Sequence, residues 1–362
     1  MDFSFSDEQQ MLRSEARSWL ESKLPSERVG EIADSGAGLD PDVWAQMVEL
    51  GWVGLSVPPG AGGAGMTFLE EAVLFEEFGR ALFPGPYFST VALCLPALES
   101  TPELSRRAVA GEITLALAWA EPPGPLTLFE AGDYGTKAVP ADGGWTLSGE
   151  KILVPDAGVV SHFVVAAGTA EGPGVLVTEG AARRSSTMDS TRAYGSVRFD
   201  GSPAVMVAGP QEFDGLLGRI RLRAHCALAL EAVGVADAVL AMAVEHSMAR
   251  SQFGRPIGAY QAVSHQVADT YVDVELARSL AYWAAWCVAE ADPGAPAAVA
   301  AAKSFAGEAA VRACERSIQV HGGMGFTWEH MLHRYYKRAQ WIEGFDGFGH
   351  AHRSVIADSL LP

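Results

Sequence analysis

The run LRAHCALALEAVGVADAVLAMAVEHSMAR, residues 222–250, constrains the fold more than any other stretch. It is Ala-rich and apolar around nearly its whole circumference instead of along one stripe. A helix of that kind is buried, either inside a bundle or at an oligomer interface. Its neighbours supply such surroundings. PIGAYQAVSHQVADTYVDVELARSLAYWAAWCVAE follows at 256–290, Asp292-Pro293-Gly294-Ala295-Pro296 breaks the pattern, and residues 297–320 read as the next helix. From Gln211 onward the chain is helical in character.

The first 110 residues are helical as well. In DEQQMLRSEARSWLESKL, Leu12, Ala16, Trp19 and Leu20 recur at helical spacing, and Ser6 or Asp7 can cap the start. A second helix fits 41–50, with Asp40 as its cap and Pro41 in the first turn. A third fits 67–81, where Leu69, Ala72, Val73, Phe75 and Phe78 form one stripe, and a fourth fits 89–100. Between these regions the pattern changes. ITLALAWA (113–120) suits a buried strand, and TKAVPADGGWTLSGEKILVP (136–155) reads as a hairpin about its Gly-Gly turn. HFVVAAGT, GVLVTEG and YGSVRFDG add three more strands. The expected fold is α+β multidomain, with an N-terminal helical domain (1–110), a middle antiparallel β-domain (111–210) and a C-terminal four-helix bundle (211–362).

The 362 residues suffice for one large core or two to three smaller ones. Apolar residues make up 49% and charged residues 19%, the balance of an ordinary soluble globular chain. The net charge of −18 argues against nucleic acid or an anionic membrane as the main partner. Cys94, Cys226, Cys287 and Cys314 are widely spaced, without CxxC or metal-type spacing, so reduced thiols in a cytoplasmic setting are expected. The N-terminus is acidic and amphipathic, unlike a secretory signal. No charge-free apolar run reaches membrane-spanning length.

Several motifs carry candidate chemistry, each with an ordinary structural reading beside it. Gly60-Ala61-Gly62-Gly63-Ala64-Gly65 matches G-x-G-x-x-G. However, Pro58 and Pro59 precede it and no βαβ alternation follows, so it reads as a glycine loop between helices. His330 and His333, and His350 and His352, lack the spacing and partners of a metal site and read as solvated or hydrogen-bonded. Arg250, Gln252, Phe253 and Gly254 follow the long helix. An Arg and a Gln beside a glycine at a helix end can hold a diphosphate, although a surface turn has the same composition. Gln319, Gly322, Gly323 and Gly325 close another helix, either as a plain C-cap or as backbone open to a ligand. Glu343, in Trp341-Ile342-Glu343-Gly344, is a carboxylate among apolar residues, suited to a desolvated base but equally to an exposed surface.

Taken together, Arg-Ser-Gln-Phe-Gly (250–254), Gln-Val-His-Gly-Gly-Met-Gly (319–325) and Ile-Glu-Gly (342–344), in this order and within an α–β–α layout, resemble the flavin-dependent acyl-CoA dehydrogenase family. The stretch containing Trp44, Leu50-Gly51-Trp52, Gly54-Leu55, Val57-Pro58 and Gly62-Gly63 is similar to that family too. The resemblance implies FAD lying at a subunit interface. Arg250, Gln252, Phe253 and Gly254, with Gln319, Gly322 and Gly323, would reach the diphosphate and adenosine of a neighbouring subunit's FAD. It implies Glu343 as the base that removes the α-proton of an acyl-CoA while the β-hydrogen leaves for the flavin, with electrons passing to an electron-transfer flavoprotein. Members that carry the base on the long helix have it 26 positions before the Arg, where this chain has Ala224.

The middle region departs from the family pattern. Ala120-Glu121-Pro122-Pro123-Gly124-Pro125-Leu126-Thr127 stands where Thr-Glu-Pro and Ala-Gly-Ser-Asp line the flavin and substrate. Lys151-Ile152-Leu153-Val154-Pro155-Asp156 replaces Lys-x-Trp-Ile-Thr-Asn, and Phe345-Asp346-Gly347 replaces a Thr-Ser and Gln that help hold FAD. Groups offered to a neighbour's cofactor are kept, while groups for the chain's own flavin ring are lost. Two expectations follow. One is an FAD-dependent acyl-CoA dehydrogenase subunit with Glu343 as base. The other is a catalytically silent partner that completes FAD binding in an α2β2 hetero-oligomer with a second acyl-CoA dehydrogenase-like subunit, as in bacterial sterol and fatty-acid catabolism. A homotetramer fits the first, a heterotetramer the second. A flavin monooxygenase or another fold relative without use for the base is a third class.

Overall fold

The computed structural model describes residues 5–122 and 134–361. In chain order it has helices α1 (Asp7–Lys23), α2 (Ser26–Ser35), α3 (Pro41–Glu49), α4 (Phe68–Arg80) and α5 (Pro102–Val109). Strands β1 (Leu115–Ala118), β2 (Lys137–Ala141), β3 (Gly144–Pro155), β4 (His162–Gly168), β5 (Pro173–Thr178), β6 (Ala181–Ser185) and β7 (Tyr194–Ala208) follow. The long helix α6 (Phe213–Ala249) leads into a short hairpin, β8 (Ser251–Gln252) and β9 (Arg255–Pro256). Helices α7 (Gln261–Ala289), α8 (Ala295–His321), α9 (Leu332–Gly344) and α10 (Gly349–Leu360) complete the chain. This is the helix, strand, helix order expected from the sequence.

Local chemistry sets the helix starts. Ser6 Oγ accepts the Gln9 N–H while the Gln9 side chain accepts the Ser6 N–H, a reciprocal cap for α1. Asp40 accepts the N–H groups of Asp42 and Val43 at the start of α3, where Pro41 needs no donor of its own. Helices α2 and α5 are only 10 and 8 residues long, and the sequence reading did not assign them, although Val29, Ile32 and Ala33 form a short buried stripe on α2. The helix expected over 89–100 is instead a π-helical segment, Phe88–Cys94, followed by a 3-10 turn, Leu95–Leu98. Pro96 has no N–H to continue an α-ladder, and every side chain from Phe88 to Leu98 is buried, so packing decides the local winding.

Packing divides the chain into two units, Met1–Gly30 with Phe68–Phe83 and His225–Pro362, and Glu31–Thr67 with Pro84–Ala224. The first is helical. By length and composition α6 is apolar enough to cross a membrane, a property the sequence reading did not assign to it. However, 78% of its most apolar window is buried inside the protein, and Leu228, Leu230, Val233, Val235 and Val239 are fully covered. Each such aliphatic side chain stabilises the core by about 1.5–3 kcal/mol relative to exposure. Helices α4 and α6 touch backbone to backbone. A Cβ on Gly79 would lie 2.1 Å from the Glu231 carbonyl oxygen, and one on Gly234 would lie 1.9 Å from that of Glu76. Buried carboxylates tie the helices together, with Glu76 taking Arg13 at 2.6 Å and Arg278 at 3.0 Å, and Glu231 taking Arg338 at 2.5 Å.

The second unit holds the sheet. Its pairings run β4–β2–β3–β7–β5 and return to β4, with β1 also on β4 and β6 on β7. The antiparallel expectation holds except that β1 and β2 each run parallel to β4. Leu147, Val154, Phe163, Leu176, Val197 and Phe199 fill its core. Strand β6 escaped the sequence reading because all five of its residues are exposed, so it lacks the half-buried alternation that marks a strand.

Candidate functional site

Helix α6 ends at Ala249, and Arg250 opens the β8–β9 hairpin. Gln252 pairs with Arg255, so Phe253 and Gly254 are its two turn residues, both left-handed at φ 49° and 83°. That is the turn in which a glycine is at ease and a phenylalanine is strained. The hairpin is braced on both sides. Ile257 N–H donates to the Arg250 carbonyl at 2.9 Å, the Tyr260 hydroxyl donates to the Gln252 carbonyl at 3.0 Å, and the Arg255 guanidinium lies 4.1 Å from the Tyr260 ring centre. The bracing holds Phe253 out, 94% exposed.

The same unit carries the end of α8. Arg250, Gln252, Phe253 and Tyr260 face His321, Gly322, Gly323 and Met324 across a groove of about 550 Å³. Two segments far apart in sequence therefore meet in one place. Gly322 has φ 63°, which caps the helix. A Cβ at Gly325 would press 2.9 Å from the Ile318 carbonyl oxygen, so packing demands that glycine. Gly323 is different, because it has no left-handed φ and a Cβ there would meet no protein atom within 4 Å. Its bare backbone is required by nothing in the chain itself. A cation, a polar side chain and bare glycine backbone along one groove fit a dinucleotide diphosphate. Gln319 is exposed on α8 and does not line the groove; its carbonyl accepts the Gly322 N–H.

Glu343 lies one residue before the end of α9 and does not line the groove either. It is half-buried. Burial pushes its carboxyl above the usual range, Glu308 and Glu315 add to this, and Lys303 and Arg312 oppose it. Helix α8 approaches closely here, since a Cβ at Gly307 would sit 3.3 Å from Glu343 Cα. Lys303, also on α8, is buried and its Nζ donates to the Glu343 carbonyl at 3.3 Å. Burial pulls its ammonium down to about 8 against the pull of Asp346 and Glu343. Sequence reasoning missed Lys303. The available signal was one lysine within the Ala-rich run AAAKSFAGE. Asp346 is committed to His225, whose Nε2 is 2.7 Å from its Oδ2, and the His352 ring stands edge-on to His225 at 4.8 Å. Ala224, the alternative base position, is fully buried and has nothing to titrate.

The β unit offers less. Ala120 is buried and its carbonyl accepts the Ile152 N–H at 2.8 Å. Lys151 is fully buried, 2.7 Å from Glu121 and 2.9 Å from the Trp119 carbonyl. Burial lowers its ammonium to about 8 even beside that carboxylate. Burial pushes Glu121 up, but the hydrogen bond and charge of Lys151 outweigh it, with help from Thr136 N–H, and hold the carboxyl below its usual range. A bulge then turns Leu153 outward at φ 53°, and Pro155 pairs with Tyr194. At the two positions where the family resemblance implies hydroxyls, Ala120 offers a methyl and Pro155 a proline ring. Pro123, Gly124, Pro125, Leu126 and Thr127 lie outside the described residues.

Comparisons with known proteins place the chain in a family. Residues 6–107 match the acyl-CoA dehydrogenase N-terminal domain and residues 223–361 the acyl-CoA dehydrogenase C-terminal domain. The chain is 30% identical to acyl-CoA dehydrogenase IpdE2 of Mycobacterium tuberculosis, over 92% of this chain and 91% of that protein. Among solved structures it resembles butyryl-CoA dehydrogenase from Megasphaera elsdenii, with a TM-score of 0.90, 25% identity and full coverage of both chains. It also resembles a chain of the ChsE4-ChsE5 complex from Mycobacterium tuberculosis, with a TM-score of 0.86, 28% identity and 99% of each chain covered. The chain belongs to the acyl-CoA dehydrogenase family, flavin-dependent oxidoreductases.

Proposed function

We propose that this chain is a subunit of an FAD-dependent acyl-CoA dehydrogenase, in which the β8–β9 hairpin and the end of α8 grip the diphosphate and adenosine of a neighbouring chain's FAD. Gly323 carries this reading, since its missing side chain serves no packing or backbone need within the chain. Phe253, Phe326 and Trp328, which are 94%, 77% and 62% exposed, add support, because solvent-facing aromatics of this size suit a surface that another chain covers. Glu343 is the base. Its carboxylate takes the α-proton of the acyl-CoA, and the raised affinity of that carboxyl for a proton suits the task. FAD, when bound, accepts the β-hydrogen with its electron pair, leaving the α,β-unsaturated thioester. An electron-transfer flavoprotein then takes the electrons. The assembly is a tetramer, acting in cytoplasmic breakdown of fatty-acid or sterol acyl-CoA.

A second reading makes the chain a silent partner that completes FAD binding for an unlike subunit. The buried Ala120 and Pro155 favour it, because neither side chain offers a hydrogen bond to a flavin ring. The relative in the ChsE4-ChsE5 complex is itself part of a two-protein assembly. An absorbance spectrum of the chain purified alone decides between them. A flavin spectrum, with dye reduction by an acyl-CoA, supports the autonomous enzyme. A colourless chain that turns yellow only when coexpressed with an acyl-CoA dehydrogenase-like partner supports the second reading. A chain that stays colourless in both preparations overturns both.

A further inference from the structure

The turn that follows Glu343 is held from three sides by side chains of other helices. Helix α9 ends at Gly344, and Asp346 and Gly347 then run left-handed at φ 56° and 103°. A residue other than glycine stays in that region where its surroundings impose it. Here the surroundings are specific. His225 of α6 reaches the Asp346 carboxylate, with Nε2 2.7 Å from Oδ2. His352 of α10 reaches the Gly347 carbonyl from its Nε2 at 3.2 Å. Lys303 of α8 donates to the Glu343 carbonyl at 3.3 Å. A carboxylate and a carbonyl accept only, so each imidazole donates from Nε2. His225, Lys303, Asp346 and His352 are all buried.

The chemistry assigned to Glu343 uses neither imidazole. Glu343 is the last residue but one of α9, in the part of a helix that frays first. Its Cα–Cβ bond points one way only as firmly as that last turn is held. The family resemblance puts FAD contacts just after the base, where this chain has Phe345-Asp346-Gly347. In this chain the Asp346 carboxylate is engaged by α6 instead, and the Gly347 carbonyl by α10. The segment is therefore closed by the chain's own side chains.

We propose that His225, acting through Asp346, is the positioning residue of the base. It fixes the turn after α9, so that the Glu343 carboxylate is presented in one place whether or not a flavin is bound. This rests on the reading that Glu343 is the base. The leverage lies at Asp346, three residues on from Glu343, because its left-handed backbone relaxes once its carboxylate is released. A base displaced by about 1 Å loses about a hundredfold in rate. Substrate binding, which does not run through His225, stays as it was.

The test uses the full chain, or its complex where it purifies with a homologous partner. The probes are saturated thioesters from butyryl-CoA to palmitoyl-CoA and a sterol side-chain acyl-CoA. His225→Leu should lower kcat about 10–100-fold, with KM and flavin content within about twofold of the parent. His225→Gln sets an amide N–H donor where Nε2 was, and should recover kcat to within about threefold of the parent. Asp346→Gly keeps a left-handed turn accessible and strands no buried carboxylate, so it should repeat the loss even if His225→Leu fails to fold. Amide hydrogen exchange gives a readout without turnover. Peptides spanning 343–349 should exchange slowly with or without FAD, and about tenfold faster in His225→Leu. Faster exchange with unchanged kcat makes the pair a structural clamp and overturns the proposal, as does protection that appears only when FAD is added. If Glu343→Gln collapses kcat while His225→Leu and Asp346→Gly do not lower it, the positioning role is overturned and the base stands. A Glu343→Gln variant with the parent's kcat, or a parent that oxidises none of the thioesters, overturns the base reading and the proposal with it.

Discussion

In the helical unit Gly323 presents backbone to open space, whereas in the β unit Ala120 and Pro155, the positions expected to meet a flavin ring, are buried. Bare backbone with room for a side chain is an invitation to a ligand. A buried methyl and a buried proline ring offer a ligand no hydrogen bond. On the proposed reading, one chain keeps the features that would hold a dinucleotide's phosphates and lacks those that would hold its ring. The contrast is sharper because the described residues beside Ala120 pack tightly. Lys151, Glu121 and the Trp119 carbonyl form a tight buried cluster beside Ala120.

The largest expected effect asks whether the helical unit carries chemistry as well as a cofactor grip. Glu343→Gln should lower kcat/KM with an acyl-CoA by about 10²–10⁴-fold and leave flavin content unchanged. Activity within about twofold of the parent would remove Glu343 as the base. Arg250→Ala comes next. Losing one charge-assisted hydrogen bond, about 1.5–3 kcal/mol, should weaken FAD by about 10–100-fold, measured by equilibrium dialysis, with little change in melting temperature. Unchanged FAD affinity would erase the contrast between the two units.

The helix–strand–helix layout was legible because periodicity survives in long elements. The run 222–250 announced α6, alternation marks β3 and β7, and short apolar runs announced β4 and β5. Features set by tertiary context were not legible. The π-helical turn at Phe88–Cys94 depends on complete burial, β6 shows no buried face, and α2 and α5 span too few turns for their periodicity to stand out. At the site, motif order pointed to Arg250, Gln252, Phe253, Gly322 and Gly323, which line one groove. Spacing alone could not separate Gly323 from Gly325, because only packing distinguishes an open glycine from a crowded one. Nor could it show that Asp346 is engaged by His225, or that Lys303 reaches Glu343 from the next helix.

Those two glycines give a finer test of the groove. Gly323→Ala adds a Cβ to open space at an ordinary backbone conformation, so thermal stability should hold while FAD affinity falls about 5–20-fold, as a methyl enters the space a ligand needs. Gly325→Ala should do the reverse. Its Cβ would lie 2.9 Å from the Ile318 carbonyl oxygen, so the fold should lose about 1–3 kcal/mol in denaturant unfolding. Equal loss of stability in both variants would make Gly323 a packing glycine and remove the main support for the groove.

The smallest effect concerns Lys303. Its ammonium, lowered to about 8 by burial, is charged while Glu343 titrates, and it opposes the burial and the Glu308 charge that raise that carboxyl. Lys303→Met removes the opposition, so Glu343 should hold its proton to higher pH. The acid limb of kcat/KM, where the base loses its proton, should move upward by about half a unit to one unit. Stability carries a second sign. A lysine whose folded value lies below its unfolded one destabilises the fold while charged, and the penalty is relieved as pH rises from about 8 to about 10.5. Denaturant unfolding of the parent should therefore show a rise across that window that Lys303→Met lacks, and near neutral pH the variant should be no less stable. A shift of the limb without the change in the stability profile would mean that Lys303 is hydrated, and its influence on Glu343 would then be a screened surface effect. Loss of both would show that α8 and α9 do not meet at Gly307, and Glu343 would then be an ordinary exposed carboxylate.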